Sequence, residues 1–379
     1  MEANKKIKIT FVVTRFLRTG PINQTYYIIK NLDKNLFDVS IIALFPEAKE
    51  SRIDLFKELK IPVIQLNIKR SLNPLAGREL VKDALLNINP DIVQAVGIPP
   101  YRMTLTYNNC VHLVTLRNYC YEDYPSKYGK IKGYLMAFLD VRLIKKQIKK
   151  GEPFVTCSES LSKMYKDRMG LDISYIRNGV DISMFSKKTH DKELTLKKQL
   201  DLPENKLIFV YSGLMTDRKN QIEAIEGFLL SNISRDAVLV LLGDGDNYES
   251  LKNQFGHNKN IIFKGKVSNV AEYLTVSDIY LSTSKSEGLP NGVLEAMSVG
   301  LPILLSDISQ HMELLNVCPN MGLSYNLGKK DNLSNKIDEI AKMDLAAMGD
   351  AAYQCVMDNF TDCIMSEQYQ TLYKKIAHK

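Results

Sequence analysis

Nothing in the 379 residues approaches the roughly 20 consecutive apolar positions of a membrane-spanning helix. The run Ile9 to Val13, after Lys5, Lys6 and Lys8, is too short for the core of a secretion signal and alternates as a strand does. A cytoplasmic location is therefore expected. The six cysteines (Cys110, Cys120, Cys157, Cys318, Cys355 and Cys363) form no C-x-x-C pair, and no histidine stands at ligand spacing. That pattern speaks against structural zinc and a disulfide framework, and for reduced thiols. No G-x-G-x-x-G opens the first helix, so a nicotinamide dinucleotide is not the expected ligand. Internal repeats and low-complexity segments are also missing.

What remains is ordinary globular composition, 45% hydrophobic and 25% charged. The length exceeds one common core and suits two domains. The net charge of +7 is unevenly spread: residues 1–190 carry +13 and residues 191–379 carry −6. Such asymmetry suggests two domains with different partners. No aromatic–basic ladder accompanies the basic half, so nucleic acid is not the expected partner.

Strand-like and helical runs alternate along the chain. Lys8–Val13, Val39–Leu44, Ile61–Leu66, Asp91–Val96, His112–Leu116 and Pro153–Cys157 read as strands, and a helix follows Gly20-Pro21. The second half repeats the design with strands at Lys206–Tyr211, Ala237–Leu242, Ile261–Phe263, Ile279–Leu281 and Pro302–Leu305. This alternation implies α/β architecture: two Rossmann-like, doubly wound domains facing a central cleft. The polar, Lys-rich stretch Phe185–Lys198 marks the boundary. Residues 1–188 are expected to form one domain, completed by a C-terminal helix within 361–379, and residues 189–360 the other. Ligands in such folds sit at the carboxyl ends of the strands.

The most informative window is SEGLPNGVLEAMSVGLPIL, Ser286 to Leu304. Gly288 and Gly292 flank a helix start near Pro290, where proline is tolerated. Unpaired backbone N–H groups at a helix start suit a pyrophosphate. Glu287 precedes that turn and Glu295 lies beyond the first turn, so their carboxylates can accept from two different sets of sugar hydroxyls. Upstream, Arg218 and Lys219 are adjacent cations at another helix start, suited to a leaving diphosphate.

The window resembles the signature of glycosyltransferase family 4, retaining nucleotide-sugar transferases of the two-Rossmann-domain (GT-B) type. Further stretches agree in order: GPINQTYYIIKNL (Gly20 to Leu32), IRNGVDISMF (Ile176 to Phe185), VYSGLMTDRKNQIEAIEGF (Val210 to Phe228), LLGDGDNYESLK (Leu241 to Lys252) and IIFKGKVSNVAEYLTVSDIYLSTS (Ile261 to Ser284). TLRNYCYEDYPSKYGKIKG (Thr115 to Gly133) looks like the bacterial surface-polysaccharide branch. The resemblance implies a hexosyltransferase whose first domain binds the acceptor and whose second binds the nucleotide sugar, preferably UDP-linked. It implies that Glu287 meets the donor sugar and Glu295 the ribose. Gly288, Leu289, Pro290, Asn291 and Gly213 would line the diphosphate, and Lys219 with Arg218 would neutralise it. Lys266 and Val267 would meet the base through their backbone. Gly20 would lie under the diphosphate or sugar, where no side chain would fit.

Two positions depart from the family pattern. Leu214 follows Gly213 where an arginine is usual, and Arg117 ends the HLVTL strand where a histidine is usual. A permanent cation cannot act as a base, so Arg117 is expected to hold a phosphate or a sugar hydroxyl. No obligatory cofactor is expected, and with no Asp-x-Asp constellation, no metal. His112, within a strand, is expected to be a core residue, and Glu122 and Asp123 are candidate acceptor contacts. A nucleotide-sugar epimerase or hydrolase on the same fold is the rival activity. Leu135–Lys150 reads as an amphipathic helix with apolar Leu135, Phe138, Leu139, Leu143, Ile144 and Ile148 and a basic end. That suggests a glycan or lipid-linked acceptor and an anionic membrane surface as partners.

Overall fold

A computed structural model of the chain describes residues 5–69, 73–187 and 193–377. It divides into two compact units, Met1–Gly179 with Asp362–Lys379, and Val180–Thr361. Residues 188–192 of the expected Lys-rich connector lie outside the described residues.

The first unit holds β1 (Ile7–Val13), β2 (Phe37–Ala43), β3 (Val63–Gln65), β4 (Ile92–Val96), β5 (Val111–Leu116), β6 (Phe154–Thr156) and β7 (Ser174–Tyr175). They form one sheet in the order β3-β2-β1-β4-β5-β6-β7 with every pair parallel. The apolar runs explain this arrangement. Phe11 and Val12 point to opposite faces of β1 and both are fully buried, so helices cover the sheet on both sides. The helix Gly20–Lys30 buries Ile22, Tyr27, Ile28 and Ile29, and the C-terminal helix Asp362–Ala377 packs beside it. Ser366 Oγ donates to Ile28 O at 2.9 Å, Asn31 Nδ2 donates to Asp362 Oδ2 at 2.8 Å, and Tyr373 donates to Gln94 on β4. The chain's last segment thus belongs to its first unit.

The second unit holds β8 (Leu207–Ser212), β9 (Ala237–Leu242), β10 (Ile261–Gly265), β11 (Ile279–Ser282), β12 (Ile303–Ser306) and β13 (Gly322–Tyr325). Their order is β10-β9-β8-β11-β12-β13, again all parallel. The strand order reverses between β8 and β11, which makes the loops leaving those two strands the natural place for a ligand.

Two consecutive helices follow β5. Cys120–Tyr128, rich in tyrosine and charge, is a helix with Pro125 inside it, followed after Gly129 by the helix Lys130–Ile148. In the latter, the buried positions are Gly133, Ala137, Asp140, Val141, Ile144 and Gln147, whereas Leu135, Phe138 and Leu139 are exposed. The apolar residues expected to share one face are therefore divided between two. All six cysteines are free, and no described helix is long and apolar enough to cross a membrane.

Candidate functional site

The loops at the reversal point of the second unit are laced together by their backbones. Gly213 N donates to Leu242 O at 2.9 Å, Met215 N to Asp244 O at 2.7 Å and Gly243 N to Gly265 O at 2.7 Å. Gly243 has φ +131°, and a Cβ there would stand 2.0 Å from Gly213 O. Only glycine fits such an approach with that backbone. The Gly243-x-Gly245 pair is thus a brace holding the β8 loop, rather than a ligand loop in its own right. Leu214, the departure from the family pattern, is 57% exposed.

Lys219 and Arg218, at the end of the β8 loop, converge on Glu287, which follows β11. Lys219 Nζ donates to Glu287 Oε1 at 2.5 Å, and Arg218 Nη1 donates to Glu287 Oε2 at 2.9 Å and to Ser286 O at 2.6 Å. Ser284 Oγ adds a third donor to the carboxylate at 2.7 Å. Glu287 is 5% exposed. Burial alone would raise its pKa. The charges of Lys219 and Arg218, with the bonds from Lys219 and Ser284, outweigh burial and hold the carboxyl well below the usual range. Two cations face one carboxylate, so the cluster keeps a net positive charge able to receive an anion.

Behind this cluster is a buried polar network. Tyr211 Oη donates to Lys219 O at 2.5 Å and lies 3.2 Å from Ser284 Oγ. Ser306 Oγ donates to Ser284 O at 2.7 Å, and His311 Nδ1 is 3.0 Å from both Ser306 Oγ and Ser306 O. Burial pushes the His311 imidazole down to about 4, partly opposed by the charge of Glu287. Ser284, Tyr211 and His311 escaped the sequence reading. The alternation Ser282-x-Ser284 leaving β11 was the available signal, since it turns two hydroxyls to the same side of the chain.

From Glu287 the chain runs through buried Gly288, Leu289 and Pro290 into the helix Asn291–Ser298, whose N-cap is Pro290. A Cβ on Gly292 would stand 2.5 Å from Tyr280 Oη and 3.0 Å from Ser212 Oγ, so this helix start is seated directly on the ends of β11 and β8. Glu295 is half-buried on the helix. Burial above all, with the negative charge of Glu295 adding to it, keeps the Tyr280 phenol protonated. Lys266 and Val267 follow Gly265 at the end of β10, the former exposed and the latter half-buried.

Gly20 and Arg117 belong to the first unit. Gly20 opens the helix Gly20–Lys30, whose N-cap Thr19 gives no side-chain cap. Arg117 directly follows β5. Its Nη1 donates to Asn178 Oδ1 at 2.5 Å, while Nε and Nη2 are buried without a hydrogen-bond partner among the described residues. His112 is a core residue, 3% exposed, with Nε2 2.7 Å from Tyr107 O. Glu122 pairs with Arg168 at 2.7 Å and Asp123 with Lys127, one turn on, at 2.7 Å. Any acceptor hydroxyl they bind would share them with these cations. Among the described residues, no group of three His, Cys, Asp or Glu is placed to hold a metal ion.

Residues 192–354 match the family model described as glycosyl transferases group 1. Among curated proteins, the chain is similar to the UDP-Gal:alpha-D-GlcNAc-diphosphoundecaprenol alpha-1,3-galactosyltransferase of Escherichia coli, 31% identical over 39% of this chain and 40% of that one. It is also similar to the O-antigen biosynthesis glycosyltransferase WclY of Escherichia coli, 22% identical over 98% of this chain and 99% of that one. The chain spans about two fifths of the length of the first two curated relatives it matches. Among solved structures, Anabaena Alr3699/HepE in complex with UDP and glucose superposes with a TM-score of 0.79 at 16% identity, over 97% of this chain and 99% of that one. At that identity the likeness shows a shared fold.

Proposed function

We propose that this chain, whose residues 192–354 match the model of the group 1 glycosyl transferases, acts as a glycosyltransferase that moves a hexose or N-acetylhexosamine from a UDP-sugar to a hydroxyl of a glycan or lipid-linked acceptor. The anomeric configuration is retained, and the process served is surface-polysaccharide or glycoconjugate synthesis. The observation that carries this reading is the convergence of Lys219, Arg218 and Ser284 on Glu287 beside a helix start. The relative named for UDP-Gal and a diphosphoundecaprenol-linked sugar supports a UDP donor and a lipid-linked acceptor.

In this reading the donor diphosphate lies against the N-terminus of the helix Asn291–Ser298, with backbone groups of Gly288, Leu289, Pro290 and Asn291 around it and Gly213 across from it. Lys219 and Arg218 neutralise the charge that builds on the leaving diphosphate. Glu287 orients the sugar hydroxyls. Held as a carboxylate by two cations, it is a weak nucleophile and a weak base. The departing phosphate oxygen itself takes the acceptor's proton on the face from which it leaves. Glu295 accepts from the ribose, and Lys266 and Val267 meet the base. The first unit serves the acceptor, and Gly20 and Arg117 are its own candidate ligand residues.

Thermal unfolding in the presence of UDP-, GDP- and ADP-sugars tests the donor assignment. A UDP-sugar at a hundred times its Kd is expected to stabilise by about 2.7 kcal/mol through mass action. Glu295→Ala is expected to lose most of that shift. An unchanged shift in the variant removes Glu295 from the ribose, and a larger shift with a GDP- or ADP-sugar removes UDP. Activity abolished by a chelator and restored by manganese would overturn the metal-independent mechanism.

A further inference from the structure

We propose that the outward face of the helix Lys130–Ile148 docks on an anionic lipid surface, its first half entering the interface and its second half resting on the headgroups. The inference uses first-unit residues only and stands independently of the donor reading.

The first half of the helix exposes Ile131, Tyr134, Leu135, Phe138 and Leu139. Ile131 is 90% exposed, and the least exposed of the five is still 48% open. Single exposed apolar residues need no explanation, but five on one helix face do. Their spacing, at steps of three and four, places them on one side. The same side continues through Arg142, Lys145, Lys146, Lys149 and Lys150, which line one shallow open depression. Apolar and cationic residues therefore follow one another along a single outward ridge. This differs from the usual amphipathic pattern, in which they oppose each other around the helix.

The reason lies on the inner side. A Cβ on Gly133 would stand 2.5 Å from the backbone of Pro125, so the helices Cys120–Tyr128 and Lys130–Ile148 meet nearly backbone to backbone. Small residues fill that contact: Cys120, Ala137 and Val141 form its core. The large apolar side chains of the first half have no interior left to enter.

The charges point to one kind of occupant. Residues 130–150 contain seven Lys and Arg and a single acid, Asp140. Asp140 is turned inward, 4% exposed, and paired with Arg102 and with Tyr124 Oη at 2.6 Å. None of the seven cations has a carboxylate partner among the described residues. A ridge with an insertable end, a cationic end and no acid complements apolar chains beneath a layer of negative headgroups.

Flotation of the full chain tests this, with vesicles of phosphatidylcholine alone and of phosphatidylcholine mixed with phosphatidylglycerol. The wild type is expected to float with the anionic vesicles, less so as salt rises. Lys145→Glu with Lys149→Glu is expected to weaken partitioning at least about tenfold, since each basic residue near the surface is worth about fivefold. Ile131→Glu with Leu135→Glu is expected to abolish it at every salt concentration. Ile131→Ser, at a side chain that touches little, gives a milder form of the same loss should the double variant misfold. The shift with a UDP-sugar stays the same in all variants, because every substitution is at an exposed side chain of the first unit. Failure of the wild type to float overturns the proposal. So does an unaltered flotation of the apolar variants, or a self-association by gel filtration that these variants abolish while flotation persists.

Discussion

Lys219 Nζ stands 2.5 Å from Glu287 Oε1, so the cation expected to receive the donor's diphosphate is held by the carboxylate expected to receive the donor's sugar. Arg218, 2.9 Å from the other carboxylate oxygen, is held in the same way. The two roles are coupled: a diphosphate that takes up Lys219 and Arg218 releases Glu287 toward hydroxyls. Glu287 keeps the two cations gathered while the site is empty, which is preorganisation at the cost of competition.

Glu287→Gln separates the two roles. The neutral amide keeps the shape but no longer competes for the cations. UDP binding by calorimetry is expected to tighten several-fold, while turnover of the UDP-sugar falls by at least about a hundredfold. If UDP binding and turnover decline together, Glu287 is only a structural member of the cluster.

Lys219→Ala and Arg218→Ala are expected to differ. Among the described residues the Lys219 ammonium bonds only to Glu287, so its loss falls on the leaving diphosphate, lowering kcat by about a hundredfold to a thousandfold, and on the buried carboxylate it holds ionised, lowering the unfolding midpoint. Arg218 also donates to Ser286 O at 2.6 Å, holding the turn that leads into the helix Asn291–Ser298. Its removal is expected to lower kcat and to lower the unfolding midpoint further than the loss of Lys219 does. Equal effects of the two on both measurements would deny this division.

The architecture was legible because buried parallel strands announce themselves: AVLVLL at Ala237–Leu242 is a strand at the same six positions, every one buried. β7 and β13 were not, because Ser174-Tyr175 is an exposed two-residue pair and Gly322–Tyr325 carries no apolar run. In the site, the window around Glu287 and the Arg218-Lys219 pair stood out by charge type and spacing. That they meet each other did not, since 68 residues separate Lys219 from Glu287 and only the order of β8 and β11 in the sheet joins them. The ridge on Lys130–Ile148 was misread for a related reason. Periodicity marks an apolar face, but it cannot say that Gly133 leaves the inner side too narrow to take it.

His311 imposes a pH dependence on the second unit. Its imidazole is fully buried and depressed to about 4 from 6.5, so the unfolded chain binds the proton more readily than the folded one. The stability this group supports is complete above pH 6.5 and is lost as pH falls toward 4, at about 1.4 kcal/mol per pH unit. Thermal unfolding from pH 7.5 to 4.5 is expected to show that decline. His311→Gln should flatten it between pH 6.5 and 4.5 relative to the wild type, and parallel curves would rule out this source.

Gly292→Ala tests how closely the helix Asn291–Ser298 is seated. The new methyl meets Tyr280 Oη at 2.5 Å on a fully buried ring that has no room to withdraw, and a cost of about 1–3 kcal/mol follows. Tyr280→Phe removes the clashing oxygen and also its bonds to Ser212. The double variant is expected to be more stable than the sum of the two single losses, because the changes share one contact. Additive losses would place the strain elsewhere.

Arg117→Met is expected to separate stability from activity. Two nitrogens of this guanidinium, Nε and Nη2, are buried with no hydrogen-bond partner among the described residues, an arrangement that costs about 1–3 kcal/mol per group when nothing compensates. Methionine keeps the apolar stem and removes the unmet donors, at the expense of the bond to Asn178. The unfolding midpoint should therefore hold or rise, by a few degrees at most. If Arg117 retains those donors for a phosphate or a sugar hydroxyl, turnover falls in the same variant, and Arg117→Lys, which cannot present a planar fork, does not restore it. A variant that loses stability and keeps its turnover would make Arg117 a structural partner of Asn178 and nothing more.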